Sequence, residues 1–298
     1  MTPKQLGALL LLAAVWGASF LFYRVAVPVL GPFVLVELRV LLAGLALLAY
    51  ALIVRKKLEL RANLGKLFIL GLLNSVIPFT LIAAAQLTLS ASLASILNAT
   101  TPLFAAIAAS IWLSEKLSVK RLMGLPIGVL GVAALVGWSP LEFNAQVALA
   151  VGMMLLAALA YALAGIYIKH QLTGVSGLTL AAGQQLSAAA MLIVPATLNV
   201  PTTPPSLTVA LAVLALALMS TALAYLLYFY LMAEVGPTKT LSVTYLIPLF
   251  GSLWGVLFLQ ESFTPGMLVG LALVMLSVTL VNEVSLPFLR RFRGKFNS

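Results

Sequence analysis

The sequence predicts an all-α integral membrane protein of ten transmembrane helices, arranged as two inverted five-helix repeats. Hydrophobic residues make up 63% of its 298 residues and only 8% are charged, against about a quarter in an ordinary soluble domain. The mean hydropathy is +1.16. Apolar runs of about twenty residues, each long enough to cross roughly 30 Å of hydrocarbon, recur along the chain. One proline-containing segment also occurs twice, which indicates a duplicated unit.

The duplicated segment begins Pro-Leu-Phe in both copies, at Pro102–Phe104 and at Pro248–Phe250. The offset of 146 residues between these prolines also pairs Glu115 with Glu261. Two matches at one constant offset indicate that the same helix–turn–helix design was used twice. The length of the repeated unit then follows from how many apolar segments lie between the copies.

Ten apolar segments follow one another, with short polar turns between them. They cover residues about 6–26, 33–54, 65–87, 91–113, 121–138, 147–168, 177–199, 207–231, 238–259 and 266–286. We expect helices, because backbone groups in lipid must be satisfied within the segment, and the alternation of barrel strands is absent. Since five is odd, a second five-helix copy enters the membrane from the opposite side. We therefore predict one integrated transmembrane domain whose inverted repeats are residues 1–143 and 144–298.

Lysine and arginine predict the orientation, because they concentrate in cytoplasmic loops. Of the 17 such residues, all but Arg24 and Arg39 fall in the terminal segments or in the turns that follow even-numbered spans. Both termini are therefore predicted to be cytoplasmic. The formal net charge of +10 belongs to this loop pattern, so no nucleic-acid partner is expected.

The chain has no cysteine, no aspartate and one histidine, His170. This composition leaves little material for a metal site, a thiol nucleophile or the acidic clusters with which membrane transferases hold Mg²⁺. We expect no enzyme activity, no cofactor and no metal. An ion channel would need charged rings or ordered carbonyls as a selectivity filter, and no such run stands out.

A substrate cavity is expected near the midplane, where inverted repeats meet. Spans 3 and 8 suggest it best, because Ser75, Phe79 and Gln86 share one helical face, and Thr221 and Tyr225 form the matching face of the second copy. Aromatic rings with a few amide and hydroxyl groups suit an amphipathic solute; the alternative for any one of them is interior packing or an interfacial aromatic belt. The candidate cavity residues are Trp16, Ser19, Phe79, Gln86, Asn98, Thr101, Tyr161, Gln185, Tyr225, Tyr228 and Tyr245.

Pro102 and Pro248 fall within spans 4 and 9, where each removes a backbone hydrogen bond and favours a kink. They are candidate hinges of a rocking motion, and a static bend is the alternative. Spans 5 and 10 carry GxxxG pairs that allow close helix approach, either to another helix of the same chain, which we favour, or to a second subunit. These pairs are Gly124/Gly128 and Gly266/Gly270.

Few charges fall within the predicted spans. Glu37 and Arg39 are placed in the outer part of span 2, and Arg24 lies near the outer end of span 1. A structural ion pair between Glu37 and Arg24 is the preferred interpretation, with proton coupling through Glu37 as the alternative. Glu115 and Glu261, at the ends of spans 4 and 9, are expected to be helix-end partners.

The chain resembles the ten-helix EamA-type exporters of the drug/metabolite transporter superfamily. The matching residues are Trp16-Gly17 with Arg24, Arg39, and the paired segments Pro102–Glu115 and Pro248–Glu261. Within the superfamily the chain looks like the YddG branch, which exports aromatic and other amino acids. The resemblance implies a bacterial inner membrane, a central cavity lined by spans 1–4 and 6–9, and peripheral spans 5 and 10.

The predicted function is secondary transport: export of amino acids, aromatic or other neutral, or of related small amphipathic metabolites by alternating access. No phosphate-binding P-loop is present, so the driving force is a gradient. The expected partners are the small-molecule substrate and the lipid bilayer, with the protein a monomer or a weak homodimer. A multidrug or toxic-compound exporter of the same fold is the alternative, and a membrane-embedded enzyme or a channel is more remote.

Overall fold

The computed structural model describes residues 1–112, 117–138, 142 and 144–283, apart from the side chains of residues 237 and 238. Every regular element in this part of the chain is a helix, which confirms the predicted all-α class there. The predicted role of Glu115 and the charges at the C-terminus lie outside the described residues.

Twelve α-helices and two π-helical segments make up the described chain. The α-helices are α1 Pro3–Ile53, α2 Leu64–Gly71, α3 Ile77–Ala85, α4 Ala91–Asn98, α5 Thr101–Trp112, α6 Val119–Gly137, α7 Ala145–Gln171, α8 Gly177–Thr197, α9 Leu207–Leu214, α10 Ala224–Thr240, α11 Val243–Leu259 and α12 Pro265–Val281. The π segment Leu72–Val76 joins α2 to α3, and the π segment Ala215–Leu223 joins α9 to α10.

Seven helical stretches of the described chain are long and apolar enough to cross a membrane, and α11 and α12 are shorter apolar helices. The first stretch, α1, is 51 residues long, more than twice the length that one crossing needs. It is interrupted at Gly31, where φ is 69°, a left-handed conformation that glycine adopts without strain. Pro32 follows and restarts the helix, as proline does well at a first helical position. A second such turn lies at Gly236, with φ 79°.

The helices pack around several buried apolar clusters. The long helix α1 contacts α8, α11 and the stretch formed by α9 and the second π segment, whereas α3 and α5 both contact α7. At the periphery α6 packs against α12, and the buried helix α4 packs against α11. Large apolar side chains cover the outside, with Ile53, Ile111 and Val129 each about two thirds exposed or more. An apolar exterior of this extent suits lipid rather than water.

The glycine pairs lie between α6 and α12 of the same chain. A Cβ atom at Gly124 would come within 3.0 Å of the Ser277 carbonyl oxygen, and one at Gly270 would meet the backbone of Leu135 at 2.9 Å. The Ser277 hydroxyl also donates to the Gly124 carbonyl at 2.6 Å. This contact confirms the interpretation of the glycine pairs as internal packing sites.

Glu261 caps the first turn of α4 from the end of α11. Its carboxylate accepts hydrogen bonds from the backbone N–H groups of Ala91 at 2.6 Å and Ser92 at 2.9 Å, and from the Ser92 hydroxyl at 2.6 Å. The first N–H groups of a helix have no partner within the helix, and a negative charge is favourable there. Glu261 is thereby confirmed as a helix-end partner.

Glu261→Ala is expected to lower the free energy of unfolding by about 1–3 kcal/mol, because two N–H groups and one hydroxyl lose a charged acceptor. Thermal unfolding of the purified protein in detergent measures this loss. Glu142→Ala, which removes an exposed glutamate, serves as the matched control. Equal melting temperatures for the two variants would contradict the capping role.

Candidate functional site

Arg39 is the one described arginine that the fold buries, with 5% of its surface exposed. It lies eight residues after the Gly31 turn, which is about 12 Å along the helix. The placement of Arg39 in the outer part of its span stays a prediction.

Three neighbours hold the Arg39 guanidinium in place. Its Nε donates to the Thr221 hydroxyl at 2.9 Å, and its Nη1 donates to the Tyr23 hydroxyl at 2.5 Å. The Cζ atom lies 3.5 Å from the centre of the Phe79 ring, which is cation–π geometry. We call Tyr23, Arg39, Phe79 and Thr221 the Arg39 cluster; it joins α1, α3 and the second π segment.

Each π segment contributes a polar side chain to this region. In a π-helical turn the ladder of backbone bonds is shifted, and such segments often accompany functional sites. The Thr221 hydroxyl donates to the Leu216 carbonyl at 2.8 Å, which leaves its lone pair to accept from Arg39. In the first π segment, Asn74 donates to the Gln184 side chain at 2.8 Å and to the Tyr225 hydroxyl at 3.4 Å.

A row of aromatic rings begins beside these amides. The rings of Tyr225 and Phe229 are stacked with centroids 6.2 Å apart, Phe229 meets Tyr228 at 5.3 Å, and Tyr228 meets Trp16 at 5.6 Å. We call Trp16, Tyr225, Tyr228 and Phe229 the aromatic row. It connects α1 with α10 and offers flat apolar surface next to hydrogen-bonding groups.

One ring contact connects the predicted residue Tyr161 to the Arg39 cluster. Its ring packs edge-on against Phe79 with centroids 6.4 Å apart. Trp16, Tyr225 and Tyr228 meet one another through the aromatic row. That these rings line one substrate cavity stays a prediction.

Several polar atoms of this interior have no hydrogen-bond partner among the described residues. Both amide atoms of Gln185 are buried and unpartnered, and so are the Ser75 hydroxyl and the Oδ1 atom of Asn98. Buried polar groups are normally hydrogen-bonded. Gln185, Ser75 and Asn98 are therefore the described groups best able to accept a new partner from a bound solute.

The remaining candidate side chains bond elsewhere. Ser19 and Thr101 donate to backbone carbonyls of their own local turns, at 2.6 Å and 2.8 Å. Gln86 donates to the Phe20 carbonyl at 2.9 Å, which ties the end of α3 to α1. The Tyr245 hydroxyl donates to the Val278 carbonyl of α12 at 3.2 Å and accepts from Asn282 at 3.0 Å.

The two candidate hinge prolines occupy different local settings. Ala99 and Thr100 form a turn between α4 and α5, and Pro102 lies in the first turn of α5. Pro248 is buried within α11, which continues through it. The break in the second copy lies earlier, between α10 and α11. A hinge function of either proline stays a prediction.

The proposed ion pair between Glu37 and Arg24 is wrong for the described structure. Arg24 donates instead to the backbone carbonyls of Gln86 at 2.6 Å and Leu87 at 3.2 Å, where it caps the C-terminal end of α3. Glu37 is buried, and its Oε2 atom has no hydrogen-bond partner among the described residues. An arginine stabilises a helix C-terminus because the last carbonyls carry partial negative charge.

Sequence reasoning missed the central role of Arg39 and the contribution of Asn74 and Phe229. The positive charge of Arg39 could have indicated this role, because an ionisable residue within an apolar span is by default a candidate functional residue. The repeat offset carried a second signal, since the 146 residues that separate Pro102 and Pro248 also separate Arg39 and Gln185.

Comparison with known proteins decides the class. The EamA-like transporter family matches residues 5–137 and again residues 148–283. The chain belongs to the EamA-like transporter family. It is therefore a multi-pass membrane transporter rather than an enzyme, and the predicted EamA-type resemblance is confirmed. The assignment to the YddG branch stays a prediction.

Relatives of this EamA-family protein match it almost end to end. The uncharacterized transporter YvbV of Bacillus subtilis is 28% identical, over 95% of this chain and 93% of its own length. The uncharacterized inner membrane transporter YedA of Escherichia coli strain K12 is 27% identical, over 92% and 89%. Protein PecM of Dickeya dadantii is 26% identical, over 94% and 93%. One solved structure shares the fold at a TM-score of 0.66 and 17% identity, covering both chains completely.

Thr221→Val is expected to lower the free energy of unfolding of this EamA-family protein by about 2–3 kcal/mol, since the buried guanidinium loses an acceptor. The control is Thr101→Val, whose hydroxyl bonds only to the carbonyl of Asn98 three residues earlier and whose loss should have a smaller effect. Both are measured by unfolding in detergent. Equal losses in the two variants would show that Thr221 has no special role at Arg39.

Proposed function

We propose that this EamA-family protein exports amino acids, aromatic or other neutral, or related small amphipathic metabolites by alternating access, driven by a gradient. The observation that supports this most is the interior of the bundle. A cation, unpartnered amide and hydroxyl groups, and a row of aromatic rings lie together between helices of both parts of an otherwise apolar chain. Such a mixed interior suits a solute with one polar and one apolar end.

We infer that ten spans form two inverted halves, and the packing pattern supports this. Exchange of the halves converts the contact of α1 with α11 into that of α7 with α5, and the contact of α1 with the second π segment into that of α7 with the first π segment; all four occur. The offset that aligns Pro102 with Pro248 also places the π segment Leu72–Val76 within the π segment Ala215–Leu223. The two separate family matches agree with a duplication.

The loop cations support an orientation with both termini in the cytoplasm of a bacterial cell, and the inner membrane as the location. The described cations of the cytoplasmic side would include Lys66, whose Nζ donates to the Gln171 carbonyl and thereby ties the start of α2 to the end of α7. YedA, a bacterial relative, is named an inner membrane transporter. The same orientation gives the two halves opposite directions through the bilayer.

The aromatic row and the unpartnered amides favour a metabolite with polar groups over a purely apolar drug. Rings such as those of Tyr225 and Tyr228 would contact either class of solute. Gln185 and Asn98, however, leave buried hydrogen-bonding atoms unpaired, and a site of this kind discriminates against ligands that cannot satisfy them. A multidrug exporter remains the second candidate because of the aromatic surface.

Proteoliposomes that contain the purified protein and a panel of labelled amino acids test the proposal, with and without a pH gradient. We expect saturable uptake or efflux of at least one neutral or aromatic amino acid. Tyr225→Ala should shift the preference away from large aromatic solutes, whereas Tyr245→Ala, whose hydroxyl bonds to α12, should not. Transport of cationic drugs alone would favour the multidrug alternative, and no carrier-dependent flux of either class would overturn both.

A further inference from the structure

Arg39 carries a charge that its surroundings do not balance. No carboxylate of the described residues lies within ion-pair distance of it. The chain has no aspartate and only seven glutamates. Removing a cation from water costs several kcal/mol unless an opposite charge repays it. The burial of Arg39 without a counterion among the described residues therefore needs an explanation.

The neighbours of Arg39 orient the guanidinium without neutralising it. Two neutral hydroxyl groups, from Tyr23 and Thr221, each accept one hydrogen bond, and the Phe79 ring covers one face of the guanidinium. A guanidinium has five N–H donors. Those that remain, including both on Nη2, have no acceptor among the described residues. The Arg39 side chain is therefore held in place while some of its N–H donors still lack an acceptor among the described residues.

Glu37 does not supply the missing charge. It lies two residues before Arg39 on the same helix, so the two side chains leave the helix in nearly opposite directions. No hydrogen bond or ion pair joins them, and the Glu37 Oε2 atom is itself unpartnered within the described structure. No carboxylate of the described residues therefore compensates the charge of Arg39.

Two tyrosines near the Arg39 cluster keep part of their surface exposed. Tyr161 packs against Phe79, Tyr225 begins the aromatic row, and each is only half-buried. The aromatic row continues from Tyr225 toward Trp16. A solute whose apolar part lies along this row could therefore place a polar end at the guanidinium.

We propose that Arg39 is the anchor for a carboxylate or another compact anionic group of the transported solute. The proposal rests on the transport function inferred above and narrows its substrates to those that carry an anion. Guanidinium groups bind carboxylate and phosphate oxygens through paired charge-assisted hydrogen bonds. The bound anion supplies the negative charge that the bundle lacks. Binding is therefore favoured because it neutralises the buried guanidinium.

The second half of the chain carries a neutral counterpart. The repeat offset pairs Arg39 with Gln185, and it pairs Thr221, the acceptor for Arg39, with Ser75. Gln185 and Ser75 are buried, and their polar atoms have no hydrogen-bond partner in the part of the chain that the structure describes. One half thus presents a cation and the other presents an amide and a hydroxyl. This difference gives the solute a fixed orientation, with its anion toward Arg39 and its neutral polar groups toward Gln185.

The test compares matched acid and amide probes: phenylalanine with phenylalaninamide, and 3-phenylpropionate with 3-phenylpropanamide. Phenyl phosphate distinguishes a phosphate from a carboxylate. Binding to the purified wild type, Arg39→Gln, Arg39→Lys and Arg61→Gln is measured by calorimetry, together with the melting temperature of each variant. Arg61 is exposed, so Arg61→Gln is the matched control for removal of a positive charge.

Arg39→Gln should weaken binding of the acid probe by roughly thirty-fold or more, as for loss of one partner of a buried charge pair, and change amide binding by less than about threefold. Arg39→Lys should restore part of the preference, and Arg61→Gln should match the wild type. Equal losses for acid and amide in a folded Arg39→Gln variant would assign Arg39 a structural role only and overturn the proposal. If that variant does not fold, the wild type decides, because amide binding as tight as acid binding contradicts the proposal.

The same panel separates this proposal from the amino-acid function. If the wild type binds 3-phenylpropionate or phenyl phosphate through Arg39 but neither binds nor transports amino acids, the anion anchor stands and the amino-acid assignment fails. If amino acids are transported and bound equally well by wild type and Arg39→Gln, the assignment stands and the anchor fails.

Discussion

An arginine held inside an apolar helix bundle is the constraint on which the rest of this structure depends. The Arg39 cluster draws one hydrogen-bond acceptor from α1 and one from the second π segment, and its aromatic cover from α3. Three separate parts of the chain thus converge on one charge. Water solvates a guanidinium better than an apolar bundle does. The burial of Arg39 therefore indicates a role other than stabilising the fold.

Irregular backbone accompanies this specialisation. The π segments, the Gly-Pro turn at Gly31 and the turn between α4 and α5 all free backbone groups, and lipid-exposed helices do not tolerate unpaired ones. In the second π segment, Thr221 bonds the Leu216 carbonyl. At ordinary helix ends, Glu261 caps α4 and Arg24 caps α3, and these two caps join helices that are distant in sequence. The same contacts that repair the backbone therefore also hold the bundle together.

Composition and the lengths of apolar runs were enough to predict the all-helical membrane class, because the bilayer dictates both. The directions in which side chains point were harder to predict from the sequence. Apolar residues surround these helices on all sides, so periodicity does not reveal which face is interior. The Glu37–Arg24 pair failed for the same reason. The direction of the Tyr245 hydroxyl toward α12 and the place of Gln86 at the α1–α3 contact also depended on helix rotation, which only the packed structure supplies.

An experimental structure of the protein in lipid, with a transported carboxylate bound, tests the central claim most directly. Charge-assisted bonds between guanidinium and carboxylate are about 2.7–2.9 Å long. The expected result is a carboxylate oxygen at that distance from a terminal nitrogen of Arg39, with the rest of the solute along the aromatic row. An Arg39 that pairs with a glutamate of the protein, with the solute bound elsewhere, would contradict it.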